Sequence, residues 1–324
     1  LRKMATEDKS VIFITHKLEE VMSVSDRVTV LRAGRVVGTV ATSNSTKSDL
    51  ATMMVGRKVL FTYEKLGVAA RNPILEVHDL RVLNDKGLPA LKGVSIIVYA
   101  GEILGVAGVA GNGQRELAES ITGLRGASSG RIILDGGDTT GRSARYVIEH
   151  GVAYVPEDRV REGAPQNMSV AENLVLRTYR YKPYSKGLML QRHEMKANAD
   201  QLISKFNIMT PSTDTVTRTL SGGNLQRLIL ARELSGKPKL IVALYPTRGL
   251  DVGATEYVRG LLLKQRGMEA GIVLISEDLE EIFMLSDRIA VLYDGQIMGI
   301  VPAAGANIEE IGLMMGGALK KGSV

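Results

Sequence analysis

Residues 108–116, GVAGNGQRE, follow an apolar run and precede a stretch with Leu117, Ile121 and Leu124 at i, i+4 and i+7. A glycine-rich loop between strand and helix aims backbone N–H groups and a helix N-terminus at one point, a geometry suited to a phosphate. Gly108 and Gly113 stand at the two glycines of the spacing G-x-x-x-x-G-K-[ST], with Gly111 between them. Gln114, however, takes the place of the lysine, and Arg115 that of the hydroxyl residue. The cradle is kept and its cation is lost, so a tight turn without a ligand fits the same residues. Residues 220–226 read LSGGNLQ, in which Ser221 is a natural N-cap and Gly222 and Gly223 let backbone amides approach a ligand closely. After the apolar run 240–244 come Tyr245, Pro246, Thr247, Arg248, Gly249, Leu250 and Asp251.

Elements must hold these loops. Strand-like runs at 11–14, 28–31, 103–106, 132–134, 152–155, 240–244, 272–275 and 289–292 alternate with helical periodicity, as in Leu225, Leu228 and Ile229 on one face. Alternation of this kind predicts an α/β fold with a largely parallel sheet. The chain has 324 residues, enough for two domains, with 44% hydrophobic and 23% charged residues, the profile of a globular protein. Its 41 Lys and Arg against 35 Asp and Glu are interleaved, which excludes a basic nucleic-acid tail. The absence of cysteine excludes disulfides, thiolate metal sites and a Cys nucleophile, and aromatics at 4% argue against base-stacking platforms. No apolar run approaches the roughly 18 residues of a membrane helix. The chain opens on Leu1 without a basic-then-apolar leader, and an opening without Met suggests a fragment.

One internal repeat is present. Residues 15–40 align without gaps to 276–301, with 11 identities in 26, and the register continues to Gly56 opposite Gly317, with 14 in 42. The same unit therefore ends twice. Residues 1–56 read as the tail of one domain, 57–73 as a connector ending in Asn-Pro, 74–317 as a whole second domain and 318–324 as a tail.

A glycine loop, then L-S-G-G, then a buried strand running into P-T-x-G-L-D form a specific set in this order. The chain resembles the ATP-binding subunits of ABC transporters, in particular the double-cassette subunits of bacterial sugar and nucleoside importers. GVAGNGQREL, AYVPEDR, LSGGN, PTRGLDVGA and LSDRIAVLYDG carry the resemblance. The nucleoside branch is the closer of the two, because its second cassette typically lacks the acidic pair before P-T-R-G-L-D. The resemblance implies a P-loop NTPase cassette: a mostly parallel sheet, an antiparallel β subdomain and a helical subdomain. It makes 1–56 the end of a first cassette and 74–317 a complete second one.

It also implies what each position should do. Phosphoryl transfer to water needs cations on the phosphates, Mg2+ held by a hydroxyl and an aspartate, a base, and a group sensing the γ phosphate. In the second cassette Leu244 stands at the magnesium aspartate, Tyr245 at the general-base glutamate, Glu157 at the loop glutamine and Glu277 at the switch histidine. No aromatic residue in 83–91 is placed to stack on adenine. Two carboxylates crowding a nucleotide site cost on the order of several kcal/mol, so this half is expected not to hydrolyse ATP. Arg115 is expected to pair with Glu277 or Glu157 and close the pocket. His16 stands at the switch histidine of the first cassette, whereas His78, His150 and His193 match no motif.

By the same resemblance Ser221, Gly222, Gly223 and Asn224 serve an ATP held, with Mg2+, by another cassette, and Asp251 lies in the loop that communicates between sites. The partners implied are transmembrane permease subunits, docked through 161–174, and indirectly an extracytoplasmic solute-binding protein. The place implied is the cytoplasmic face of the membrane. Two alternatives stay open: a double-cassette protein acting on ribosomes, and a binding module that does not hydrolyse ATP.

Overall fold

The computed structural model describes residues 1–7, 9–58 and 72–320. Most of the expected connector, 59–71, and the end of the tail, 321–324, lie outside the described residues. The chain divides into two compact units, Leu1–Glu64 with Gly249–Gly260, and Lys65–Arg248 with Leu261–Val324.

The smaller unit holds helices α1 (Arg2–Ala5), α2 (Leu18–Val24) and α3 (Lys47–Val55), and the hairpin of β1 (Arg27–Arg32) and β2 (Arg35–Ala41). A capping box starts α3: Thr46 accepts from the Asp49 amide while the Asp49 carboxylate accepts from the Thr46 amide. Val21, Val30 and Leu50 are its buried centre, with Met53 and Met54 packed against it.

The larger unit carries two sheets. The six-stranded one has the order β14-β13-β5-β12-β11-β8: Gln296–Pro302, Arg288–Tyr293, Ile103–Ala107, Gly271–Ser276, Leu240–Leu244 and Val152–Val155. All neighbours are parallel except β13 and β14. Strands β5, β11 and β12 are buried along their whole length, as strands covered on both faces must be. The second sheet, order β4-β3-β6-β7, is antiparallel and comprises Pro89–Tyr99, Pro73–Leu83, Ser129–Leu134 and Gly137–Asp138. One apolar core runs through both sheets. Helix α4 (Gln114–Ile121) follows β5, and α5 (Ala144–Glu149) precedes β8. Helices α6 (Val170–Leu174), α7 (Arg192–Phe206) and α8 (Gly222–Leu234) pack on one another, with the short hairpin of β9 (Ser185–Lys186) and β10 (Met189–Leu190) before α7. Helices α9 (Val252–Gly267), α10 (Leu279–Leu285) and α11 (Ile308–Met315) complete the chain. This is the expected α/β class, with a largely parallel sheet, an antiparallel sheet and a helical group.

The repeat is reproduced at the level of structure. At an offset of 261 residues α2 matches α10, β1 matches β13 and β2 matches β14, end for end, and α3 matches α11 to within one residue. Both hairpins shift register at the same place, between Val30 and Leu31 and between Val291 and Leu292. Gly56 and Gly317 both have positive φ, +86° and +74°, where the last helix ends and an L side chain would be strained.

Two expectations need correction. Residues 11–14 are not a strand: Ile12 and Ile14 are 94% and 95% exposed, and a strand needs a ladder partner that no described neighbour provides. Leu124 is not on the helix with Leu117 and Ile121; α4 stops at Ile121, Gly123 turns the chain with φ +72°, and Leu124 is exposed. The smaller unit also includes Gly249–Gly260, where Arg57 pairs with Glu256 at 2.7 Å. Among the described residues, the strands of 1–56 pair only with each other.

Candidate functional site

Strands β5, β12, β11 and β8 are consecutive in the sheet and parallel, so their carboxyl ends share one edge, where open α/β sheets place their ligands. The glycine loop leaves β5 there, Glu277 follows β12, Tyr245 follows β11, and Glu157 lies just beyond β8.

In the loop, Gln114 is buried and folded back. Its Oε1 accepts from the Asn112 amide at 2.9 Å and its Nε2 donates to the Val109 carbonyl at 2.8 Å. One loop amide is thereby taken by the loop's own side chain. Gly108 makes room for it, since a Cβ there would lie 2.5 Å from the Leu292 carbonyl oxygen and 2.6 Å from Gln114 Nε2. Gly113 has φ +105°, and its Cβ would meet the Ala90 carbonyl oxygen at 2.7 Å; Gly111 has φ +93° and open space around it.

Arg115 makes no ion pair with Glu157 or Glu277 among the described residues. It pairs with Glu119 one helical turn on at 2.7 Å and with Glu162 at 3.0 Å. Hydrogen bonding to Glu119 is the main reason its guanidinium is held above its ordinary pKa. The expected ion pair with the two carboxylates exists, but its cation is Arg248, whose Nη1 donates to Glu157 and whose Nε lies 3.8 Å from Glu277. Arg248 also sits over the Tyr245 ring, 5.6 Å from its centroid.

Tyr245 has φ +47° and is nearly buried, and Leu244 before it is fully buried. Burial first, and then the charges of Glu157 and Glu277, push the Tyr245 phenol up to about 12. Its neutral form therefore favours the folded state, a contribution complete below the ordinary phenol range near 10 and lost as pH rises through about 12. In absorbance titration the parent is expected to hold one more late-ionising phenol than Tyr245→Phe, in which Tyr154, also raised by burial, still ionises late; identical curves would contradict this.

Ser221 caps α8, its hydroxyl accepting from the Asn224 amide at 3.4 Å and from Asn224 Nδ2 at 3.0 Å, while Asn224 Oδ1 accepts from the Met209 amide at 2.9 Å. Ser221 and Gly222 are exposed. An open cleft of about 670 Å³ is lined by Arg115, Glu157, Arg159, Glu162, Gly222 and Arg248 among others.

In the smaller unit His16 is exposed at a bend one residue before Lys17, the N-cap of α2, and Glu277 occupies the same place before Asp278, the N-cap of α10. Both bends carry the same latch: Thr15 donates to Glu20 at 2.8 Å and Ser276 donates to Glu281 at 2.9 Å. Asp251 accepts from the Ala254 amide at 2.8 Å at the start of α9.

Residues 91–247 match the profile of the ABC transporter family. Over 319 residues the chain is 48% identical to a glucose import ATP-binding protein of Haloferax volcanii, covering 98% of this chain and 58% of that protein. It is 43% identical over 317 residues to a nucleoside import ATP-binding protein of Lactococcus lactis, covering 98% of this chain and 63% of that one. Residues 91–247 thus belong to the ABC transporter family. The chain spans about three fifths of the length of these curated relatives. Among solved structures, a dimeric post-hydrolysis ATP-binding cassette bound to ADP and phosphate superposes with a TM-score of 0.61 at 21% identity, covering 72% of this chain and all of that one. A nucleotide-free cassette gives 0.60 at 23% identity, covering 71% and 92%. These likenesses show the cassette fold.

The cassette's own loop presents neither the lysine nor the hydroxyl that this spacing offers to ATP and Mg2+. An amide of the cradle is taken by Gln114, the position after it carries a guanidinium bound to two carboxylates, and Leu244 offers no oxygen ligand at the strand end. Two residues of the cassette escaped sequence reasoning. Arg248 was visible as the variable position of P-T-x-G-L-D, but its reach to Glu157 and Glu277 depends on the order of the strands. Glu281 is fully buried and accepts from Thr247 at 2.8 Å as well as from Ser276, tying the end of β12 to the turn after β11.

Proposed function

We propose that the chain is part of an ATP-binding subunit that energises import of a small solute, a nucleoside or a sugar, at the cytoplasmic face of a membrane. Its 74–317 cassette serves as the half that does not hydrolyse ATP. The observation that carries this reading is the contrast within one cassette: Gln114 fills the phosphate loop while the Ser221 end of α8 stays exposed. A closed loop suits a site without turnover, and an open helix N-terminus suits a signature offered to a nucleotide on another cassette. The names of the relatives, glucose import and nucleoside import, support the transport role.

In this reading one composite site joins a first-cassette P-loop and His16 to Ser221, Gly222, Gly223 and Asn224, and there ATP and Mg2+ are used. Asp251 couples it to the second site, where Gly108, Gly111, Gly113, Gln114, Arg115, Glu157, Leu244, Tyr245 and Glu277 are retained without turnover. Permease subunits dock on 161–174, beside the exposed Val160, and a solute-binding protein delivers the cargo to them. The purified 324-residue chain is expected to show no magnesium-dependent phosphate release. Sustained turnover that disappears with Gln114→Ala would overturn the assignment of a silent loop, and failure of the full-length subunit to co-purify with permeases would overturn the transport role.

A further inference from the structure

The hairpin of β9 and β10 stands apart from the chemistry described above. Residues 178–192, TYRYKPYSKGLMLQR, contain four basic residues, three tyrosines and no acidic residue. Leu188, Met189 and Leu190 follow one another at the turn and are 104%, 73% and 51% exposed, a run of apolar surface that no described residue covers. Tyr179 and Tyr181 are exposed beside them. The side chains of Lys182, Lys186 and Arg192 are exposed and make no hydrogen bond or ion pair among the described residues; the Arg180 guanidinium lies over the Tyr179 ring and donates to its own neighbour's hydroxyl, Tyr179 Oη, at 2.8 Å. Of the neighbouring acids, Glu149 pairs with Arg145 and accepts from Tyr181, while Glu194, exposed in the first turn of α7, lies near enough to Tyr184 to add to burial in raising its phenol and makes no ion pair among the described residues.

The tip is built rather than loose. Gly187 turns it with φ +61°, the Ser185 hydroxyl donates to the Arg180 carbonyl at 2.7 Å, and the Gln191 amide donates to the Tyr184 carbonyl at 2.8 Å. Below the tip, Arg177 is anchored to Glu233 at 2.6 Å. Consecutive exposed apolar side chains, flanked by amphipathic phenols and by cations without counter-ions, match the layers of an anionic bilayer surface: acyl boundary, interface and charged headgroups. An ordinary soluble surface intersperses both signs of charge and exposes apolar residues singly.

We infer that this hairpin is a lipid contact, seating Leu188, Met189 and Leu190 at the acyl boundary of an anionic leaflet while Lys182, Lys186 and Arg192 engage phosphate headgroups. The contact goes beyond the transport role and rests on it only for the membrane setting.

The native chain has no tryptophan, so Leu188→Trp creates a single indole reporter at the tip. Its emission is expected to shift to the blue with vesicles containing phosphatidylglycerol and to stay unchanged with phosphatidylcholine alone. In co-sedimentation with the anionic vesicles, the pair Lys182→Gln and Lys186→Gln is expected to weaken partitioning by about 25-fold, roughly fivefold for each lost cation. Leu188→Asp is expected to weaken it on the order of tenfold or more. The pair Lys237→Gln and Lys264→Gln removes the same charge elsewhere and is expected to leave it nearly unchanged; circular dichroism checks that every variant is folded. An indole emission unmoved by anionic vesicles, equal losses in the two lysine pairs, or a shift that appears only when permease is present would each overturn the lipid contact. The vesicles hold no permease, so this outcome is independent of whether the full-length subunit co-purifies with permeases.

Discussion

Ser221→Arg in the full-length subunit, assembled with its permeases, is expected to abolish ATP hydrolysis, while Gln114→Ala leaves most turnover intact. The two residues lie in one cassette and are separated by role. Ser221 caps a thirteen-residue helix that is largely buried but exposed at Ser221 and Gly222, the end where a γ phosphate supplied by another cassette would approach. An arginine there removes the capping hydroxyl and puts bulk where the phosphate must approach. Losing preorganised donors at a transferring phosphoryl group typically costs about 100-fold or more. Gln114, by contrast, spends both ends of its amide on the Asn112 amide and the Val109 carbonyl, so its removal loosens a loop that is not expected to turn ATP over. Steady-state phosphate release from the assembled transporter separates the two variants. Equal losses at both positions would mean that the composite sites are equivalent and the asymmetric assignment is wrong.

The second large effect is on stability. Glu233 is 7% exposed near the end of α8 and holds three partners: Arg177 at 2.6 Å, Arg232 at 2.8 Å and the Tyr154 amide of β8 at 3.1 Å. This carboxylate ties the signature helix to the parallel sheet and to the segment that carries the hairpin. Glu233→Ala leaves two guanidinium groups in a poorly solvated place without their anion, and breaking such a pair from one side costs about 3–5 kcal/mol. Urea unfolding should show that loss as a lower midpoint with an unchanged slope. Glu233→Gln, which keeps acceptors for the Tyr154 amide, should lose less. A loss for Glu233→Ala of under about 1 kcal/mol, the scale of a solvated surface pair, would show that water reaches these charges.

Much of the molecule was legible in the sequence because the responsible signals are local. Apolar runs located β8 and β11 to the residue, since a strand buried on both faces admits few polar side chains. The repeat predicted two copies of one strand-and-helix unit, and the copies agree down to the bulge in each hairpin and the glycine that ends each last helix. The substituted positions of the phosphate loop were equally plain, because Gln114 and Arg115 are read directly against a spacing set by backbone geometry.

What only the tertiary structure decided is which groups meet. Residues 11–14 have the composition of a strand, yet a strand exists only through its neighbours: β12, at the same place in the second copy, lies between β5 and β11, and 11–14 have no such flanks among the described residues. The carboxylates of Glu157 and Glu277 needed a cation, and Arg115 is near them in the motif logic. Its place in the first turn of α4 instead sets it one turn from Glu119, and the chain beyond β8 brings Glu162 to its other side. Arg248 reaches both carboxylates because β11 lies between β8 and β12, so the turn that follows it emerges between the segments carrying Glu157 and Glu277. Residue types and spacings are properties of the chain, whereas ion-pair partners follow from strand order, which the folded sheet alone establishes.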